Sequence, residues 1–176
     1  MGVMNTFYGR TFDPMEMTAE NVALEDIARA LSLLCRGGGH IRHFYSVGQH
    51  SLNCAREAEA RKLSRRIQLA CLLHDASEAY ISDMIRPVKE HLSNYLEIEA
   101  KIMSTVWEHF HLENLTKEEH QIWKQIDDVI LVYEFQHLMT GHLQMEEQKP
   151  FSKPDVSERD WREVEAEFVV LAKKLF

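Results

Sequence analysis

The sequence predicts an all-α fold, and three observations lead to this prediction. Apolar residues recur at helical rather than alternating spacing along most of the chain. Only 7 glycines and 4 prolines interrupt it, and no Asn-Gly or Asp-Gly pair offers a hairpin turn. At 176 residues, the chain has the usual length of one domain. We therefore expect a single-domain helical bundle with about six main helices.

The first part of the chain is predicted to differ from the rest. Residues 1–20 are rich in methionine and phenylalanine but show no clear period, so we expect an N-terminal arm that packs in extended form on the surface. Residues 21–176 form the predicted bundle. Its first helix spans 24–35 and stops at the run that begins with Gly37, because glycine is favoured where a helix ends in a left-handed conformation.

Cap signals place the later helices. Ser46 and Gln49 fit a capping box that opens the second helix, and Thr116 and Glu119 fit another. Pro87 is expected to prevent helical continuation and to leave 83–89 as a loop. The helices after the first are predicted to begin at about 46, 64, 93, 116 and 157, with the third extending to about 81.

The charge composition limits the kinds of molecule that the protein is expected to bind. The net charge is −8, from 28 acidic residues against 20 lysines and arginines. This balance argues against a general nucleic-acid binder, which needs a basic surface. It leaves room for a small anionic substrate held by a few local cations.

The location is predicted from apolar runs and cysteines. No apolar run approaches the ~20 residues needed to span a membrane, and no signal-peptide pattern begins the chain. Cys35, Cys54 and Cys71 form no CxxC pair and lie in apolar helical stretches, so we expect them to be core residues rather than disulfides. We expect a soluble, cytoplasmic protein without a membrane partner.

Four residues that could bind a metal ion lie in or beside apolar helical stretches. They are His50, the adjacent pair His74 and Asp75, and Asp127. A buried carboxylate needs a partner, and a divalent cation is one. Imidazole with carboxylate suits Mn, Fe, Co, Ni or Zn. Each residue alone is interpreted more simply as a hydrogen-bonded core or surface group, so the set is informative only if separate helices bring it together.

Glu78 adds a second kind of group to this set. It lies one turn beyond His74 and three residues beyond Asp75, so the three polar groups share a side of the predicted helix. A carboxylate beside a metal site is suited to act as a general base. The pattern is therefore typical of a hydrolytic site.

Together these residues resemble the HD-domain superfamily of metal-dependent phosphohydrolases. The family pattern is a histidine, a later His-Asp pair and a distant aspartate, here His50, His74-Asp75 and Asp127. The closer resemblance is to the nucleotidase-like branch, typified by bacterial deoxyribonucleoside 5'-monophosphatases, in the segments 46–51, 74–78 and 83–89. The resemblance covers residues 24–139.

The resemblance implies an HD-type helical bundle that binds one divalent metal on those four residues. The metal would be Mn, Co, Fe, Ni or Zn, with Mg as an alternative. Members of the superfamily are often dimers, so a homodimer fits the resemblance, and the substrate would be a small-molecule nucleotide.

The resemblance also implies roles for four residues outside the metal set. Arg36 would bind the substrate phosphate through its planar fork, or it is a cation at a helix C-terminus. Lys89 would add positive charge, or it is a solvated lysine. Glu78 would orient or deprotonate the attacking water. Asp83 would contact the sugar or order the site, or it is a loop acid.

Two positions leave alternatives open. Asp127 and Asp128 are consecutive, and the pattern Lys-x-x-Asp from Lys124 resembles the family's Lys-x-Ala-Asp and favours Asp127. Gly37 follows Arg36 where the nucleotidase branch has an aromatic residue, which leaves deoxyribose selectivity open.

The predicted function is that of a metal-dependent phosphoric monoester hydrolase, a 5'-nucleotidase that releases phosphate from (deoxy)nucleoside monophosphates. Hydrolysis of a guanosine alarmone is an alternative, but those enzymes carry an acidic pair where Glu78 is followed here by Ala79. A catalytically inactive nucleotide-binding or sensing module, and a helical scaffold without chemistry, are the remaining alternatives.

Overall fold

The computed structural model describes residues 2–141 and 149–176 and confirms the all-α prediction. Six of its helices in these ranges are nine residues or longer, and two have four residues. No helix in these ranges combines the length and the apolar character needed to cross a membrane. The helices are α1 (Leu24–Leu33), α2 (Val47–Ala60), α3 (Arg65–Leu73), α4 (Glu78–Ile81), α5 (Arg86–Lys89), α6 (Ser93–His109), α7 (Lys117–Leu138) and α8 (Trp161–Leu175).

Helix α2 lies at the centre of the bundle. It packs against α1, α3, α7 and α8, and every residue from Val47 to Ala55 is buried. Gly48 permits the close approach of α1, because a Cβ atom there would lie 3.0–3.2 Å from atoms of Leu31 and Ser32. Polar side chains of α2 are consequently held inside the protein, where each one needs a partner.

The larger of two apolar clusters in the described residues packs around this central helix. Ile27, Leu31, Leu52, Leu72 and Phe168 are fully buried within it. Burial of one such side chain stabilises the fold by about 1.5–3 kcal/mol. The core therefore fixes the relative positions of α1, α2, α3 and α8.

The N-terminal residues differ from the predicted extended arm. Strand β1 (Met4–Asn5) pairs antiparallel with strand β2 (Thr11–Phe12) to form a small hairpin. Phe12 and Met17 are buried and join the core of the bundle. Phe12 and Met17 thus serve packing, whereas Phe7 and Met15 are exposed.

Helix starts were predicted with mixed success. The capping box at Thr116 and Glu119 is confirmed, with both reciprocal bonds present. The box at Ser46 is only half correct: the Ser46 hydroxyl accepts from the Gln49 N–H, but the Gln49 amide donates to carbonyls of the segment 155–157. The last helix begins at Trp161 rather than near 157.

The third helix is shorter than predicted, and the following segment is partly helical. Helix α3 ends at Leu73 rather than near Ile81, because bonds from Ala76 N–H to Leu73 and from Glu78 N–H to Asp75 replace the α-helical pattern with tighter turns. The predicted loop at 83–89 contains α5, with Pro87 in its first turn, where a missing N–H costs no helical bond.

Candidate metal centre and its cavity

The four predicted metal ligands lie together in the structure. His50 comes from α2, His74 and Asp75 from the end of α3, and Asp127 from α7. His50 Nε2 lies 3.3 Å from His74 Nε2 and 3.1 Å from Asp127 Oδ1. His74 Nε2 lies 3.3 Å from Asp75 Oδ2 and 3.6 Å from Asp127 Oδ1. Two nitrogen atoms and two oxygen atoms therefore surround one small space.

His50 is oriented by a buried carboxylate behind it. Its Nδ1 atom lies 2.9 Å from Glu134 Oε2, and both residues are fully buried. The Tyr45 hydroxyl donates to the same carboxylate at 2.5 Å and accepts a bond from Asn53. A carboxylate only accepts, so Nδ1 carries a hydrogen, and in the neutral form of His50 the Nε2 lone pair faces the centre.

His74 is oriented in the same way by the backbone. Its Nδ1 atom donates to the Cys71 carbonyl at 2.8 Å, which directs the Nε2 atom toward the centre. The Trp123 ring packs beside the imidazole with 5.7 Å between ring centroids. Both imidazoles thus present an Nε2 atom to the same space, as metal-binding histidines with a hydrogen-bonded second nitrogen do.

The spacing of these atoms fits one metal ion. A metal bound about 2.0–2.2 Å from each ligand requires neighbouring ligand atoms about 2.8–3.6 Å apart. The four separations given above, 3.1–3.6 Å, lie in this range. A fifth separation, 3.9 Å between His50 Nε2 and Asp75 Oδ2, is slightly longer and suits a wider angle at the metal.

The choice between the two consecutive aspartates agrees with the geometry. Asp127 points to the two histidines, whereas Asp128 accepts a bond from Arg86 at 2.9 Å and is more exposed. Arg86 also donates to the second oxygen of Asp127 at 3.2 Å. Asp127 is therefore the aspartate of α7 that belongs to the centre.

Cys54 lies buried near His50 and His74, although it was predicted only as a core residue. His50, Cys54 and His74 offer ligand atoms within 4.8 Å of one another, close enough to hold a metal ion. Cys54 Sγ lies 3.5 Å from Nε2 and 4.0 Å from Nδ1 of His50. A sulfur bound to the same metal as Nε2 would lie clearly farther from Nδ1, so Sγ packs beside the ring. Burial raises the pKa of the Cys54 thiol to about 12.

The carboxylates around the cluster favour the protonated form of its two histidines. Burial lowers the pKa of His50, but Glu134 and Asp127 outweigh this effect and raise it well above its usual value. The pKa of His74 is also raised, against the effect of burial, by Asp75 and Asp127. Hydrogen bonds from both histidines hold the pKa of Asp127 well below its usual range despite its burial. The cluster therefore attracts cations, whether protons or a metal.

A cavity of about 770 Å³ opens beside this cluster, within the range of about 300–1,000 Å³ that is typical of small-molecule sites. Asp75, His74 and Asp127 form part of its wall, and apolar side chains form much of the rest. The apolar members include Met103, Trp107, Trp123, Leu131 and Phe135. A ligand in this cavity would be able to contact both the cluster and apolar side chains.

Glu78 and Asp83 lie in the wall of this cavity, as acids near the cluster. Glu78 is buried, and its Oε2 atom has no hydrogen-bond partner among the described residues. Burial, Asp75 and Asp83 raise the pKa of Glu78 well above its usual value. Burial also raises the pKa of Asp83, although Arg36 opposes it. Both acids therefore keep their protons up to a higher pH than ordinary surface carboxyls do.

Arg36 lies between the cluster and the cavity. It is buried, its Nη1 atom is 3.4 Å from Asp75 Oδ2, and its Nε atom is 3.6 Å from Glu134 Oε2. Burial works against its charge, but these carboxylates outweigh it and raise the pKa of Arg36 above its usual value. The guanidinium is therefore a fixed positive charge in the cavity wall.

Lys89 lies in the cavity wall but is already paired. Its Nζ atom donates to Glu99 and lies 5.6 Å from the centre of the Tyr95 ring. Any contact with a substrate would have to compete with this pair. The structure thus brings Arg36, Glu78 and Asp83 to the cluster more directly than it brings Lys89.

Three contributors to the site were not among the predicted site residues. Glu134 lies seven positions after Asp127, so both share a face of α7, and this spacing could have indicated it. Tyr45 precedes α2 and contacts Glu134 across the interior. Arg86 lies in the segment 83–89 that resembles the nucleotidase branch, but its partners on a distant helix could not be read from the local sequence. Nothing in the local sequence marks Tyr45.

Two bacterial proteins are similar in sequence to the chain. An uncharacterized protein of Rhodobacter capsulatus is 33% identical over 154 residues, which cover 84% of this chain and 78% of that protein. The uncharacterized protein YfdR of Escherichia coli K12 is 35% identical over 112 residues, 64% of this chain. That match spans only 60% of the length of YfdR. The chain matches no protein-family model.

Proposed function

Since the chain belongs to one family with the Rhodobacter capsulatus protein, we propose a function for it from the chemistry of its own site. We propose that it is a metal-dependent phosphohydrolase of the HD-domain type, acting as a 5'-nucleotidase on (deoxy)nucleoside monophosphates. The observation that supports this most is the convergence of His50, His74, Asp75 and Asp127 within 3.1–3.9 Å at the wall of a large cavity.

The donor set suits a divalent transition metal. Two neutral imidazoles and two carboxylates are the mixed set that Mn, Fe, Co, Ni or Zn accepts, and Mg is the harder alternative. A bound metal of this kind would polarise a phosphoryl oxygen and make water a stronger nucleophile at neutral pH. His50 and His74 would hold it through Nε2, with their Nδ1 atoms fixed by Glu134 and the Cys71 carbonyl.

Arg36 is the proposed phosphate contact. Its planar fork matches two phosphate oxygens, and its burial leaves few waters to compete for them. Its Nη1 atom now contacts Asp75 Oδ2 at 3.4 Å, the oxygen that also faces His74. Once a cation neutralises Asp75, the guanidinium is free to turn toward an anion in the cavity.

Glu78 is the proposed general base. It is a buried carboxyl at the cavity wall with one oxygen free of hydrogen bonds from the described residues. Its raised pKa makes it a better proton acceptor than an ordinary glutamate. Glu78 in its ionised form would accept the proton of the attacking water as the oxygen–phosphorus bond forms. The bond from phosphorus to the 5'-oxygen then breaks, and the leaving alkoxide takes the proton that Glu78 accepted, which restores the ionised Glu78.

The cavity suits the organic part of a nucleotide. Trp107, Trp123 and Phe135 offer flat apolar surfaces for a base. Asp83 lies near enough to Glu78 to raise its pKa, and in this proposal it would meet the sugar. A nucleotide would therefore place its phosphate at Arg36 and its base against the aromatic wall.

The function is tested by measuring phosphate release from a panel of ribo- and deoxyribonucleoside 5'-monophosphates with Mn(II), Co(II) or Mg(II). We expect turnover with at least one metal and a loss of at least ~100-fold in Glu78→Gln, typical of a lost general base. Glu158→Gln changes an exposed glutamate and serves as the control. Tight nucleotide binding without phosphate release from any substrate would instead support a sensing module.

A further inference from the structure

The two carboxylate oxygens of Asp127 have different partners. Oδ1 lies 3.1 Å from His50 Nε2 and 3.6 Å from His74 Nε2, inside the cluster. Oδ2 accepts a hydrogen bond from Arg86 Nη2 at 3.2 Å, on the side away from the histidines. The carboxylate is thus held from both sides in one orientation.

Arg86 is itself fixed by a second carboxylate. Its Nη1 atom donates to Asp128 Oδ1 at 2.9 Å, so the two nitrogens of one fork bind two consecutive aspartates. A planar guanidinium with two such bonds cannot rotate without breaking one of them. The Asp127 side chain is only 13% exposed, whereas the Arg86 side chain is 46% exposed, so Arg86 binds the buried carboxylate from the solvent side.

The other aspartate of the cluster is held differently. Arg36 contacts Asp75 through Oδ2, which is the same oxygen that faces His74. Arg36 therefore contacts the oxygen of Asp75 that also faces the cluster. Arg86 contacts only the oxygen of Asp127 that does not face the histidines. This difference points to a positioning role for Arg86 rather than a role in binding the substrate phosphate.

We propose that Arg86 keeps Asp127 a one-oxygen ligand and so preserves a coordination position for water or substrate. This inference rests on the proposed metal-dependent function. Without Arg86, the carboxylate would be free to rotate and to place both oxygens on the metal. The second oxygen would then occupy a position that the reaction needs.

The number of coordinated waters gives a direct test. Manganese sites have about six ligands, so four protein atoms leave about two positions for water, and a two-oxygen Asp127 leaves about one. Water-proton relaxation by Mn(II)-saturated protein reports these exchanging waters. We expect Arg86→Ala to lower the relaxivity at saturation about twofold, in proportion to the lost water.

Asp128→Asn is the matched control, because it removes the charge at position 128 but keeps an amide oxygen that can accept the bond from Arg86 Nη1, so Arg86 stays bound to Asp127. We expect its relaxivity to equal that of the parent protein. Equal relaxivity of Arg86→Ala and parent would overturn the proposal, and so would an equal decrease in both variants. Thermal melts would verify that both variants fold. A parent protein that takes up none of the divalent metals proposed for the site would refute the proposed metal-dependent function itself.

Discussion

His50 Nε2 lies 3.1 Å from Asp127 Oδ1, although 77 positions separate the two residues in the sequence. The contact joins the central helix α2 to the middle of α7, and the full burial of His50 keeps bulk water away from it. An imidazole and a carboxylate held this way need a shared cation, which is the basis of the metal centre proposed here.

The first prediction distinguishes the two aspartates of α7. Asp127→Asn removes a ligand charge from the centre, so we expect Mn(II) affinity to fall at least ~100-fold, more than the loss of an outer-shell partner costs. Asp128→Asn changes a carboxylate that faces Arg86, so its affinity should stay within about threefold. Isothermal titration calorimetry measures both. An equal loss of Mn(II) affinity in the two variants would show that Asp127 is not the specific ligand.

The second prediction concerns the carboxylate behind His50. Glu134→Gln weakens the acceptor that fixes the Nδ1 hydrogen, and such outer partners contribute about 10–100-fold to metal affinity. Tyr45→Phe removes another bond to Glu134 but leaves the one to His50. We therefore expect Tyr45→Phe to cost about 1–3 kcal/mol of stability with little change in Mn(II) affinity. Unchanged affinity in Glu134→Gln would show that Glu134 serves the core alone.

The structure also predicts opposite pH dependences with and without metal. The pKa values of His50 and His74 are raised, so their protons stabilise metal-stripped protein fully below the ordinary value of about 6.5. This stability is lost as the pH rises through the raised values. The lowered pKa of Asp127 acts in the other direction, and its contribution is lost as the pH falls below about 3.9.

Melting temperatures measured in EDTA should therefore decline as the pH rises above about 6.5. Metal binding needs neutral imidazoles, so the increase in melting temperature caused by Mn(II) should grow over the same pH range. If the melting temperature changes with pH in the same way with and without Mn(II), the metal binds elsewhere.

Much of the site was predictable from the sequence, because the chemistry lies in residue types and spacing. His50, His74, Asp75 and Asp127 occupy buried or partly buried positions on three helical segments, and the bundle brings them together as expected. The helical class itself follows from periodicity and from the scarcity of glycine and proline.

The remaining features depend on tertiary contacts that local patterns do not encode. The end of α3 at Leu73 follows from tight turns, although the apolar period continues to Ile81. Gln49 was expected to close a capping box, but it donates instead to the distant segment 155–157. Arg86 acquires its partners only when α5 lies against α7.

The fourth prediction concerns the sugar of the substrate. Gly37 has a φ of 62° and lines the cavity next to Arg36, and a Cβ atom there would lie 3.3 Å from Met139 Cε. No side chain at this position excludes a 2'-hydroxyl, and an apolar wall rejects an added hydroxyl by at most ~100-fold. We expect kcat/KM for AMP and dAMP to differ by less than about tenfold. A preference for dAMP above ~1,000-fold would require a specific contact that Gly37 cannot make.

The most direct test of the metal centre is anomalous diffraction from crystals of the protein soaked in Mn(II). The account predicts one strong peak about 2.0–2.3 Å from His50 Nε2, His74 Nε2, Asp75 Oδ2 and Asp127 Oδ1, with Cys54 Sγ outside bonding distance. A peak bound by Cys54 without the aspartates, or a fully soaked crystal with no peak at this cluster, would contradict it.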